Sequence, residues 1–121
     1  MIKFEVDETK SLLAIRYGGA VRAEETEKGL EQVRNGLAKL QSGFRLLADL
    51  TELDSMDVGC APFIEKAMDL CNEKGASMVV RVIPDPHRDI GMQIMSAFHY
   101  RGDVKIVTCE TLAQAEETLE T

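Results

Sequence analysis

Apolar and polar positions alternate over residues 2–6, IKFEV, which predicts a half-buried strand. DETK reads as a turn, and residues 12–17, LLAIRY, predict a second strand, so the two form a hairpin. GGA follows as a breaker. The period then lengthens. Leu30, Val33, Leu37 and Leu40 recur at helical spacing, predicting a helix over residues 23–41. Glu24, Glu25 and Glu27 sit near its start, where carboxylates favour the positive end of the helix dipole. Gly29 and Gly36 weaken this helix, and Ser42-Gly43 ends it.

Residues 44–50, FRLLADL, are nearly all apolar, as expected of a central strand covered on both faces. A polar, Asp-rich turn follows. A helix over 59–74 is then predicted by Ile64, Ala67, Met68 and Cys71, with Gly75 as its C-terminal stop. ASMVVRVI, 76–83, is a strand rich in β-branched residues, broken by PDPH. Ile90, Ile94, Ala97 and Phe98 predict a helix over 87–100. VKIVTC, 104–109, is a last strand, and Thr111 caps a closing helix over 111–120, with Gln114 in capping-box position. The order ββαβαβαβα predicts one α/β domain over residues 1–121. Its sheet is mixed but mostly parallel, of four or five strands, with about four helices.

Composition narrows the function. The 121 residues are 45% apolar, enough for a core without metal or disulfide, and the net charge is −7. No basic face is visible, which argues against nucleic acid as a partner. No apolar run is long enough to span a membrane, and MIKFEVDETK lacks the core of a signal peptide, so the expected location is the cytoplasm. Cys60 and Cys71 are eleven residues apart on one predicted helix, ~16 Å along its axis, beyond disulfide reach. Cys71 and Cys109 read as buried apolar residues. Two histidines, 87 and 99, have no ligand spacing, and GxGxxG and GxxxxGK[ST] are absent, so neither metal nor cofactor is expected.

The candidate chemistry lies in DLTELDSMDVGCAPF, residues 49–63. Sites in open α/β sheets form beyond the carboxyl ends of parallel strands. If the third and fourth strands are neighbours, Asp49, Thr51, Ser55, Asp57 and Cys60 share a surface with Asp85, His87 and Arg88. Pro62 has no N–H and suits the first helical turn, which places the N-cap between Gly59 and Ala61. The free N–H groups there suit an anion or a phosphorylated side chain; alternatively Asp57 is their local cap. A Cys60 nucleophile would need an oriented base, with His87 the candidate, and Asp57 would raise rather than lower the thiol pKa. Catalysis therefore ranks last. Met92, Met95, Phe98 and Tyr100 either close the core or form a partner face, a homodimer face or a lipid gate.

This layout, with FRLLADLTELDSMDVGC, GASMVVRVIPDPHRDI and VKIVTCETLAQAEETL, resembles the STAS domain of bacterial anti-sigma-factor antagonists and sulfate-transporter tails. The resemblance covers nearly the whole chain. It implies a non-enzymatic regulatory module whose partner is an anti-sigma factor or switch kinase. In that family an Asp-Ser-Ser-Gly or Asp-Ser-Thr-Gly motif opens a helix, and its Ser is phosphorylated. Here the Asp falls on Asp57 and the hydroxyl positions fall on Val58 and Gly59, so the switch hydroxyl is missing; Ser55 is two residues upstream. The expected partner-binding residues are Ser55, Asp57, Val58, Gly59, Cys60, His87 and Arg88. ELDSMDVGC also looks like the loop of sporulation-antagonist-like proteins, which are similar in architecture to lipid-binding CRAL-TRIO domains. That likeness implies the alternative function, a carrier of a lipid or other apolar ligand in a cavity lined by Met and Phe.

Overall fold

The N-terminal hairpin forms as its alternation dictates. β1 (Ile2–Asp7) runs antiparallel to β2 (Leu12–Val21), with Phe4 opposite Ile15 and Asp7 opposite Leu12. Its turn is closed by Lys10 N donating to the Asp7 carboxylate at 3.0 Å, and Ser11 takes a left-handed φ of 54°. The computed structural model describes residues 1–83 and 104–120. The remaining elements are α1 (Ala23–Ala38), β3 (Arg45–Met56), α2 (Ala61–Lys74), β4 (Met78–Val82), β5 (Lys105–Cys109) and α3 (Leu112–Glu120). The sheet has five strands in sequence order, and every pair after the hairpin is parallel. This is the mixed, mostly parallel α/β sheet expected. The described residues hold three helices; the one expected over 87–100 lies outside them.

Alternation along each strand separates two cores. Leu13, Ile15, Tyr17, Leu46, Ala48 and Val79 face α1 and α2, where Leu30, Val33, Leu37, Ile64 and Met68 meet them. Ala14, Leu47, Val80, Val82 and Cys109 face the other way and join Ala115 of α3. The strands advance in one direction, so right-handed crossovers place α1 and α2 on the same side.

Gly29 and Gly36 prove to be packing positions rather than weak spots. A Cβ on Gly29 would lie 3.0 Å from Phe4 Cζ, and one on Gly36 would lie 3.1 Å from Val6 Cγ2 and 3.2 Å from Leu13 Cδ1. Their bareness lets β1 close against α1. Helix α1 stops at Ala38 rather than 41 because its last turn tightens, with Lys39 N donating to Gly36 O and Leu40 N to Leu37 O, both at 3.1 Å. Leu40 stays buried all the same. Gly75 ends α2 in a left-handed conformation, φ 103°, as expected of a C-terminal stop. At α3, Thr111 Oγ1 accepts from Gln114 N at 3.2 Å, while Gln114 Oε1 accepts from Glu110 N at 2.9 Å.

Two strands run further than their pattern suggests. Gly18-Gly19-Ala20 does not break β2, and the polar stretch after Leu50 is not a turn but the second half of β3. Arg16 pairs with Asp49 but Gly18 with Glu52; Gly19 pairs with Leu53 but Ala20 with Ser55. Each step leaves one extra residue in β3, a β-bulge. The bulges bring Leu50, Leu53 and Met56 inward at intervals of three residues, all of them buried.

Candidate functional site

Strand β4 reaches only as far as Val82, opposite Asp49. Beyond that point β2 and β3 continue together to Val21 and Met56. The chain then turns sharply. Asp57 N donates to Val21 O at 3.0 Å, Cys60 N donates to Asp57 O at 2.9 Å, and Val58–Cys60 form one 3-10 turn before α2. Cys60 is the N-cap residue of α2 and Pro62 lies in the first turn, where Pro62 alone pointed.

Gly59 holds this turn close to the start of α1, since a Cβ there would lie 3.2 Å from Ala23 Cβ. Cys60 is fully buried beneath it, with its Sγ 3.7 Å from Val21 O. Anchored from below, the turn lifts Val58 outward. Val58, 56% exposed, and Met1, 50% exposed, are the exposed large apolar side chains among the described residues. Beside it an open recess of about 560 Å³ is lined by Ala20, Val21, Arg22, Ser55, Met56 and Asp57. Ser55, Asp57, Val58 and Gly59 thus share one exposed tip, and Cys60 is its internal anchor. Arg22 belongs to the tip and was not expected there; reading GGA as a breaker hid the fact that β2 runs on to meet it. His87 and Arg88, with Asp85, Met92, Met95 and Phe98, lie outside the described residues.

The electrostatics keep the Cys60 thiol protonated. Burial pushes the Cys60 thiol up, and the charges of Asp57 and Glu25 push it further, against a hydrogen bond with Thr26. A protonated, enclosed thiol is a poor nucleophile. Asp57 has extended backbone geometry and makes no side-chain capping hydrogen bond. No group of three or more His, Cys, Asp or Glu that could hold a metal occurs among the described residues. No helix among them is long and apolar enough to cross a membrane.

Asp49 and Thr51, expected to share the surface with Ser55, act elsewhere. The Asp49 carboxylate is nearly buried and accepts from Arg16 Nη1 at 3.0 Å, from Thr51 N at 2.9 Å and from the Thr51 hydroxyl. It braces β2 to β3 on the α3 side of the sheet.

Neither a family model nor a curated protein matches the chain. Solved structures do. The anti-sigma factor antagonist SpoIIAA, in its unphosphorylated form, superposes with a TM-score of 0.66 at 14% identity, over 99% of this chain and 98% of that one. The chain has the SpoIIAA-like fold. An uncharacterized DUF3478-family protein with that fold from Shewanella loihica PV-4 gives a TM-score of 0.67 at 20% identity, over 98% of this chain and 92% of the other. This is the STAS architecture that the sequence resemblance implied. Within this SpoIIAA-like fold, a recess of about 10 Å³ lies between α1, α2 and the sheet, lined by Phe4, Tyr17, Leu30 and Phe63 among others.

Proposed function

We propose that the chain is a non-enzymatic regulatory module of the anti-sigma-factor-antagonist kind, docking a protein partner through the tip between β3 and α2. The observation that carries this reading is Val58, an exposed apolar side chain on a braced turn at the start of a helix. Isolated exposed apolar residues are ordinary, but this one stands where the resembling family carries its phosphorylated hydroxyl. An apolar contact there is not switched by phosphate, so the contact is constitutive. Asp57, Ser55 and Gly59 frame it, Cys60 supports it from within, and the proposal extends to His87 and Arg88. The partner is an anti-sigma factor or switch kinase in a bacterial-type cytoplasm.

The test is calorimetric titration against purified switch-kinase-like proteins of the source cell. Val58→Asp is expected to weaken binding at least ~10-fold, about 1.4 kcal/mol, while Ser55→Ala leaves the affinity within ~2-fold. Incubation with the same kinases and ATP is expected to leave the intact mass unchanged. Stoichiometric phosphate on Ser55 would overturn the constitutive reading. Binding that ignores Val58→Asp would overturn the docking surface.

A further inference from the structure

Among the described residues, strand β1 is the outermost of the sheet and is paired along one edge. Its register with β2 is regular, and neither a bulge nor a proline blunts the other edge. Gly18 N donates to Met1 O at 2.8 Å and Met1 N donates to Gly18 O at 2.9 Å, so these two residues exchange both bonds. Such pairs alternate along an antiparallel ladder. Lys3 and Glu5 therefore turn their backbone groups toward β2, and Ile2, Phe4 and Val6 turn theirs outward. The described chain breaks off after β4 and resumes before β5, strands that β2 and β3 separate from β1 by ~14 Å or more.

The sequence along that outer edge is its own complement. Laid antiparallel on a second copy with Phe4 opposite Phe4, the strand sets Ile2 against Val6, Lys3 against Glu5 and Glu5 against Lys3. Every outward N–H then meets an outward C=O. A shift by one residue sets outward groups against inward ones. A shift by two sets Lys3 against Lys3 or Glu5 against Glu5. The side chains agree with the centred register. Lys3 and Glu5 are exposed, and Phe4 and Val6 are half-buried. Phe4 and Val6 border an open recess of about 310 Å³, walled by the neutral amides Gln32 and Asn35 of α1 with Lys39 and Glu8.

We propose that β1 pairs with β1 of a second copy of this chain, in the register centred on Phe4. Ile2, Phe4 and Val6 of each copy exchange backbone hydrogen bonds with the other. Lys3 of each copy meets Glu5 of the other at positions where antiparallel side chains lie closest. Ile2, Phe4 and Val6 of both copies meet on the α1 side, over the recess. Another protein's strand would satisfy the backbone as well; opposite charges at matched positions single out a second copy. Each copy carries a net charge of −7 and the contact is small, so the dimer is of the weak, transient class. It joins two five-stranded sheets into one. Because β2 runs antiparallel to β1, the two docking tips lie at opposite ends of the joined sheet.

Sedimentation at ~0.15 M salt, from ~10 μM to ~1 mM protein, is expected to show a monomer–dimer equilibrium. Amide hydrogen exchange locates the contact. Protection at Ile2, Phe4 and Val6 is expected to rise with concentration, while that at Lys3 and Glu5, bonded to β2, stays constant. Lys3→Glu sets Glu against Glu and Glu5→Lys sets Lys against Lys, both at positions exposed in the monomer. Each is expected to weaken dimerisation at least ~10-fold, although the two move the net charge in opposite directions. Lys3→Glu with Glu5→Lys in one chain is expected to restore association to within ~3-fold of the parent, as is an equal mixture of the two single variants. A monomer at every concentration would overturn the proposal, as would amides at Ile2, Phe4 and Val6 already fully protected at the lowest one. So would a charge swap no better than the single variants, or losses that follow net charge. Val58→Asp is expected to leave association unchanged; a loss there would move the contact to the docking tip and sink this one.

Discussion

The face of the sheet under α1 and α2 and the face under α3 are built from the same strands, yet among the described residues two helices cover the first and one covers the second. Between α1, α2 and the sheet lies a recess of about 10 Å³, at the β1–α1 edge an open one of about 310 Å³, and beside α3 a groove of about 1100 Å³. Connectivity produces the contrast. Successive right-handed crossovers stack helices on one side, and the other side receives what the C-terminal segment supplies. Two bare positions on α1 complete the closure by admitting Phe4 and Val6. One sheet can thus carry unequal layers on its two sides, with the order of elements deciding which is the heavier.

The sharpest way to test that contrast is to truncate one large side chain from each face. Phe44 is fully buried on the two-helix side. Phe44→Ala is expected to cost ~3–5 kcal/mol in denaturant unfolding. Leu12→Ala, at a half-buried position beside the groove, is expected to cost about 1 kcal/mol. Equal losses would erase the distinction between the faces.

Next in size is the polar brace on the one-helix side. Asp49→Leu removes the acceptor for Arg16 and for both Thr51 donors, with an expected loss of about 2 kcal/mol. Arg16→Leu added to it is expected to recover part of that loss, because the stranded guanidinium is gone. An additive result in the double mutant would show that the pair does not act as a unit.

Gly36→Ala separates helix propensity from packing. Alanine favours a helix over glycine by ~1 kcal/mol, but its Cβ would press on the fully buried Leu13. Overpacking is expected to win, leaving a net loss of about 1 kcal/mol. Val6→Ala in the same chain removes one of the two close contacts, and the added cost of the methyl should shrink. A stabilised Gly36→Ala would mean that β1 does not seat closely on α1.

The smallest effect belongs to the start of α1. Glu25 accepts from Arg22 N at 2.9 Å and lies 3.2 Å from the Met1 amine. These hold its carboxyl below the usual range, the backbone hydrogen bond contributing most. A lowered folded pKa contributes stability above the unfolded value, and that contribution fades as pH falls through the folded one. Glu25→Gln is therefore expected to melt slightly lower at neutral pH and to match the parent in acid. Solvent screening keeps the difference to a few tenths of a kcal/mol.

Much of this was readable from the chain. The hairpin, the two-sided apolar run of β3, the stop at Gly75 and the start of α2 at Pro62 follow from side-chain period and backbone chemistry. The far half of β3 did not, for a specific reason: two bulges space Leu50, Leu53 and Met56 by three, which matches neither a strand nor a helix and reads as a turn. Gly18-Gly19 misled in the same way, because glycine marks breaks and bulges alike. The tip was found at Ser55, Asp57, Val58 and Gly59, but burial of Cys60 and the presence of Arg22 depend on how β2 and β3 end together. Those are tertiary facts with no local signal.

All three cysteines are buried thiols outside any disulfide, at the tip, near the end of α2 and at the end of β5. An alkylating reagent can reach each one only when its own neighbourhood opens. Three chemically identical reporters therefore sit in three different parts of one chain. Their separate labelling rates would rank which part comes apart first, without a single introduced residue.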